Sequence, residues 1–218
     1  MKKNIFLIAV LFAASMMTFV GCNKDDDNGG DDQTGGEMLT IEGTLEIDTF
    51  KSIVVYIDNG KIIAQCPVIE KKFSVTLKTL NVYALMLMNE DFFGFPEGKI
   101  TVSNPNAKGT MAYIKADGLD IEKIKQSEIE TWTESYIYVD SDVTISGSYK
   151  ESVDSELDFL GELFAITVSL DLELKKGWNT FITTLKITEN GMFSEMKTGS
   201  IKDGEWTTMT NSDDWFDF

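Results

Sequence analysis

Apolar and polar positions divide the chain into three stretches. Ile5 to Val20 is an apolar run broken only by Ser15 and Thr18, residues 23–37 are almost wholly polar, and from Thr40 onward apolar residues recur with a period of two. Successive side chains of an extended chain point to opposite sides, so this period predicts strands with one covered face. Thr40 to Ile47 starts the series. Ser52–Ile57 and Lys61–Val68 flank Asp58-Asn59-Gly60, and Asn-Gly between apolar runs predicts a hairpin because both residues tolerate positive φ. Phe73, Val75 and Leu77 alternate with Ser74, Thr76 and Lys78. Val82 to Met88 is continuously apolar, which predicts a strand buried on both faces. Lys99–Ser103 and Thr110–Lys115 follow.

Leu119 to Glu128, with a narrow stripe of Leu119 and Ile121 to Ile124, is the best candidate for a short helix. Beyond it come Tyr136–Val139 and Val143–Tyr149, then residues 154–164, which fit a strand or a short helix. Ile166, Val168, Leu170, Leu172 and Leu174 alternate with Thr167, Ser169, Asp171 and Glu173 in the clearest strand of the chain. Lys175-Lys176-Gly177 is expected to turn it into a partner strand carrying Phe181, Thr183, Leu185 and Ile187, and Asn190-Gly191 into Met192–Lys197. Thr40-Ile-Glu-Gly-Thr44 is echoed by Thr144-Ile-Ser-Gly-Ser148. Many short strands with Asn-Gly turns and no regular helix spacing predict an all-β protein of two β-sandwich units with at most one or two short helices. The expected boundaries are 38–117 for the first unit, 118–128 for a connector or short helix, and 129–218 for the second.

The apolar run at the start has a different meaning. Lys2 and Lys3 precede it and the small Gly21 follows it, the order of a secretory signal. At about 1.5 Å per residue it spans roughly 24 Å, short of the ~30 Å hydrocarbon core of a bilayer. Phe19-Val20-Gly21-Cys22 resembles the lipobox of bacterial lipoproteins, with Phe19 where that family prefers Leu. The resemblance implies that residues 1–21 are removed, that Cys22 carries the lipid, and that the protein meets a membrane through this anchor. Three acyl chains would hold it almost permanently, since each buried CH₂ adds about 0.8 kcal/mol. Asn23-Lys24-Asp25-Asp26-Asp27 resembles the export signal of Bacteroidota surface lipoproteins, which implies display on the outer face of the outer membrane. Residues 22–37 then form an acidic, Gly-rich tether that cannot bury apolar surface. Asp25-Asp26-Asp27-Asn28-Gly29-Gly30 does not make a calcium loop: Gly29 and Gly36 stand where an EF-hand needs an acceptor and a Glu.

Composition narrows the chemistry. The formal net charge is −17 and becomes about −19 once Lys2 and Lys3 leave with the signal. Such acidity argues against nucleic acid as a partner. All 19 basic residues are Lys; there is no His and no Arg. Ser-His-Asp and Cys-His catalysis and His-bearing zinc sites are therefore excluded within this chain. So are bidentate Arg clamps for phosphate or carboxylate. No P-loop or dinucleotide fingerprint appears, and no cofactor is expected. With Cys22 lipidated, Cys66 lacks a disulfide partner and is expected to be a buried thiol.

Thr40 to Leu87, with Gly43, Val55-Tyr56-Ile57 and Lys72-Phe73-Ser74-Val75, resembles the transthyretin-like or carboxypeptidase-regulatory-like modules of Bacteroidota lipoproteins. It departs from them before Phe73 and in its first turn. Asp142 to Gly147 and Leu174 to Asn179 are similar to stretches of uncharacterised lipoproteins of that phylum. The resemblance implies a β-sandwich and brings no catalytic residues.

The candidate binding residues are aromatic. Phe92, Phe93 and Phe95 lie in Phe92-Phe-Gly-Phe-Pro96, either as exposed rings on a loop or as rings folded over the core edge. Trp132, Tyr136 and Tyr138 share one face of a strand, either as a ligand surface or as packing. Trp178 stands in a turn and Trp206 after Gly204, places that allow either to be partly exposed. Asp213-Asp-Trp-Phe-Asp-Phe218 reads as a last strand or as a segment that joins a partner's sheet. Abundant acids make carboxylate pairs inevitable, so pairs alone say nothing about hydrolysis. The expectation is a non-enzymatic surface lipoprotein that binds a glycan or a host protein. The alternatives are a structural or accessory subunit of a surface complex or fimbria, and a carboxylate-based hydrolase.

Overall fold

The chain is all-β apart from one four-residue helix among the described residues, which in this computed structural model are 38–81, 85–153, 164–189 and 191–209. β1 (Leu39–Thr44) pairs antiparallel with β4 (Lys72–Leu77) as a small separate sheet. β2 (Ser52–Ile57) and β3 (Ile62–Pro67) form the expected hairpin at Asp58-Asn59-Gly60. Gly60 adopts a φ of 77°, and Asn59 Oδ1 accepts from the Lys61 amide at 3.0 Å. β5 (Met86–Leu87), α1 (Glu90–Phe93) and β6 (Ile100–Val102) lead to β7 (Lys108–Ala116). Then follow β8 (Leu119–Gln126), β9 (Glu130–Val139), β10 (Val143–Val153) and β11 (Phe164–Leu174). β12 (Gly177–Thr188), β13 (Gly191–Thr198) and β14 (Glu205–Thr208) complete the described strands. The large sheet runs β3-β2-β7-β8-β9-β12-β13-β11-β10-β6, with β14 on β8 and β5 on β7.

Two hydrophobic cores lie on opposite faces of this sheet. In the first, the small sheet packs Ile41, Phe73, Val75 and Leu77 against Ile53, Val55 and Ile57 of β2 and Ala112, Ile114 and Ala116 of β7. In the second, Val143 and Ile145 of β10 and Leu170, Leu172 and Leu174 of β11 meet Ile137, Val139 and Phe181. β10 and β9 are well separated along the sheet yet share this core, so the sheet curls around it. β9 serves both: Tyr136 and Tyr138 enter the first core, Ile137 and Val139 the second.

The structure corrects four local expectations. Leu119–Gln126 is a strand, not a helix. The Asp117-Gly118 turn, with φ of 46° and 92°, folds it back along β7. There it pairs with β7, β9 and β14, and so many backbone partners outweigh a weak helical stripe. The described part of the Val82–Met88 run is not buried on both faces: Met86 and Leu87 are each 48% exposed and only Met88 is buried. β12 is not the partner of β11. The Lys175–Gly177 link crosses to β9 instead, and β13 returns between them, parallel to β11. Trp178 and Trp206 are buried despite their places at turns, Trp178 completely so. The 154–164 reading falls largely, and Asp213–Phe218 wholly, outside the described residues.

Trp206 joins the two sheets. Its indole lies on Gly43 and against the Phe73 ring, edge to face at 5.0 Å, and its Nε1 donates to the Glu42 carbonyl at 3.2 Å. A Cβ at residue 43 would collide with the indole. We expect Gly43→Ala to cost about 1–3 kcal/mol by overpacking and Trp206→Ala about 3–5 kcal/mol by leaving a cavity. In the double variant the added methyl enters the vacated space, so the losses fall short of additive. Chemical denaturation of the four proteins measures this; strict additivity would mean that the two residues do not share the space.

Candidate functional site

The aromatic residues singled out in the sequence are mostly core. Asn89 caps α1 by accepting from the Phe92 amide at 3.2 Å, and Gly94 ends it in the left-handed conformation. This turn folds Phe92 and Phe93, half-buried and edge to face with each other, onto the second core. Phe95 is 6% exposed and packs edge to face on Tyr149. Tyr136 and Tyr138 are buried in the first core. Trp132 shares their face and is half-buried. Of the six, Phe95, Tyr136 and Tyr138 are buried and Phe92, Phe93 and Trp132 half-buried. Cys22 lies outside the described residues. Cys66 is buried, as its apolar strand implied.

The buried Glu134 is a structural carboxylate. It accepts from Lys123 Nζ at 3.1 Å, Tyr136 Oη at 2.7 Å and the Ile201 amide at 2.6 Å. These three bonds fasten the β13–β14 connection to β9 and satisfy the charge within the protein. A groove of about 510 Å³ runs between β1 and β14, where the edges diverge from the Leu45–Trp206 bridge. Its two lysines are engaged: Lys71 donates to the Glu46 carbonyl and Lys123 to Glu134. Among the described residues no group of three or more His, Cys, Asp or Glu could hold a metal ion. Among them, too, no helix is long and apolar enough to cross a membrane.

A different pair of rings does reach the surface. Tyr56 of β2 and Tyr113 of β7 are direct cross-strand partners on the face of the sheet opposite the first core. Their rings stack with centroids 5.4 Å apart and planes 26° from parallel. Tyr113 is 41% exposed although Tyr56 covers one of its faces, so its remaining face and edge meet solvent. Carboxylates fix both phenols. Tyr113 Oη donates to Asp58 Oδ1 at 2.7 Å, and Tyr56 Oη to Asp120 Oδ1 at 2.8 Å. Asp58 is itself anchored, since its Oδ2 accepts from the Thr110 hydroxyl and the Met111 amide, both at 2.9 Å. Lys115 closes the other side, its Nζ 3.5 Å from Asp120 and 5.3 Å from the centre of the Tyr56 ring.

This arrangement is stiff. An offset-stacked pair contributes about 0.5–1.5 kcal/mol beyond its area, and each phenol bonded to a carboxylate loses its rotor freedom. Glu122 of β8 stands one residue past the last β7 pair, Ile121 with Ile114, on the same face as Asp120. It has no hydrogen-bond or ion-pair partner among the described residues, and burial, with the charge of Asp120 adding, raises its pKa. The surface offers a flat apolar ring face bordered by hydrogen-bond acceptors. That chemistry suits reversible binding and contains no activated nucleophile. Sequence reading missed the pair because Tyr56 and Tyr113 are far apart in the chain; only strand register brings them together. The alternation that buries Val55 and Ile114 does put both on the outer face, which was the available signal. No family model matches the chain, and neither a curated protein nor a solved structure matches it.

Burial first, then the bond and charge of Asp120 or Asp58, push the Tyr56 and Tyr113 phenols far above the ordinary tyrosine range. Tyr136 is raised likewise by burial and Glu134. A folded-state value above the unfolded one stabilises the protein fully below the unfolded value. That contribution is lost as the pH climbs above about 10 towards the folded value. At about pH 11 the folded protein should therefore show less phenolate absorbance than its 6 tyrosines give in denaturant. Tyr113→Phe should leave the native amplitude there unchanged; a drop of a full tyrosine would show that the phenol titrates freely.

Proposed function

We propose that this protein is a non-catalytic, lipid-anchored module on the outer surface of the cell. On this reading it binds a glycan through the Tyr56–Tyr113 surface. The anchor rests on the signal pattern and on Phe19-Val20-Gly21-Cys22, and the outward orientation on the acidic run behind Cys22. The binding role rests above all on one observation: of two stacked tyrosines held in place by carboxylates, Tyr113 is exposed and Tyr56 half-buried. A pyranose presents an apolar C–H face and a rim of hydroxyls. The tyrosine rings match the first and the neighbouring carboxylates accept from the second. A preformed surface of this kind loses little entropy on binding. The lack of His and Arg, together with the enclosed partners of Glu134, supports binding rather than turnover.

The two parts of this reading have separate tests. External proteinase should degrade the protein on intact cells, and Cys22→Ser should release it from membranes. Full protection would refute surface display while leaving the anchor intact. A glycan array should identify ligands, and Tyr113→Ala should weaken them at least about tenfold, the equivalent of roughly 1.4 kcal/mol. Unchanged binding by a folded Tyr113→Ala protein would remove the site.

A further inference from the structure

We propose that the Tyr56–Tyr113 surface selects electrically neutral sugars and rejects those bearing carboxylate or sulfate, an inference that rests on the glycan-binding reading above. The charges around the rings carry it. Register places Asp120 and Glu122 of β8 and Glu205 of β14 on the same face as the tyrosines, and Asp58 stands at the phenol end of Tyr113. On the same face of β2, β7, β8 and β14 the basic side chain is Lys115. Its ammonium is committed between Asp120 and the Tyr56 ring, and its side chain is only 14% exposed. The whole sequence has no Arg, so a forked donor for carboxylate or sulfate is missing, and it has no His to gain charge.

Hydrogen-bond capacity points the same way. Asp58 has both oxygens engaged within the protein, whereas Glu122, half-buried on the same face of β8, has no partner among the described residues. An unpartnered carboxyl accepts from a sugar hydroxyl; facing a second carboxylate or a sulfate, it finds only another acceptor and a like charge. Stacking on Tyr113 does not depend on charge, so a neutral sugar and its acidic counterpart gain equally from the ring. Discrimination therefore comes from repulsion, and it weakens with salt. Screening acts over about 8 Å at physiological ionic strength and about 30 Å at 0.01 M.

The test uses the full-length protein purified in detergent and titrated with matched oligosaccharides. The pairs are sialylated and desialylated forms of one glycan, and sulfated and unsulfated forms of another. Neutral members should bind at least about tenfold more tightly, and the gap should widen as salt is lowered. Glu122→Gln and Asp120→Asn should narrow it. Should either variant fail to fold, the salt dependence of the unmodified protein still decides. Acidic members bound as well as neutral ones, or a gap independent of salt, would overturn the selectivity and leave the site standing. Binding of neither class, or binding indifferent to Tyr113→Ala, would overturn the glycan reading and the selectivity with it.

Discussion

Four consecutive residues of β9, Tyr136 to Val139, are buried in alternation on the two faces of one sheet. A strand with one wet face leaves every second residue in water. Here both faces are covered, because the small sheet packs on one and the curled β10–β11 region on the other. Trp178 of β12 repeats the device beside Tyr138, edge to face at 5.3 Å, with its Nε1 donating to the Lys78 carbonyl at 2.9 Å. Phe181, three residues on, enters the second core. The two cores are thus coupled through shared strands. Loss of either uncovers one side of β9 and β12, so the described protein should unfold as one cooperative unit rather than as two.

The same geometry creates the ring pair. The face of the sheet that bears Ile137, Val139 and Phe181 is covered over β9 and β12, and cover ends near Met111 of β7. Farther along β7, Tyr113 and Lys115 stand on that face, Tyr113 exposed and Lys115 half-buried against the Tyr56 ring. Their opposite-facing neighbours Ala112, Ile114 and Ala116 are by then packed against the small sheet. The surface site sits where the sheet passes from one core to the other, so a face that is interior in one region becomes a stiff exterior platform in the next. β7 and β2 are held rigid from behind, which permits an aromatic pair with one exposed ring to keep its geometry.

What could be read from the sequence depended on whether the deciding contact was local. The β2–β3 hairpin was legible because Asn59-Gly60 specifies its own turn. The strand of Ile166 to Leu174 was legible because its alternation is unbroken, but its neighbours were not. Lys175-Lys176-Gly177 looks like a hairpin turn, and only β9, far upstream, explains why the chain crosses over. β8 differs: two of its partners, β7 and β9, adjoin it in the chain, but its own alternation is weak, and of its three pairings only that with β14 comes from far away. Aromatic clustering along the chain was a poor guide to exposure. The capped turn at Asn89 to Gly94 folds its phenylalanines inward, whereas tyrosines separated by more than fifty residues meet at the surface.

The short echo between Thr40–Thr44 and Thr144–Ser148 has a physical counterpart that residue similarity alone does not establish. Each segment carries its glycine where another part of the chain presses on the strand. Gly43 lies under the Trp206 indole, and Gly147 faces the backbone of Lys99 and Ile100, with which β10 pairs through β6. Two residues before each glycine, Ile41 and Ile145 are buried, one in each core. A side chain at either glycine would push apart two elements that hold an edge of the structure together. The common pattern therefore reflects the same packing problem met twice: an apolar anchor, then a gap that lets a covering element reach the backbone. At Gly43 the covering element is a ring from the last described strand, so the first and last described strands close the fold on each other, and the first core is complete only when β14 is in place.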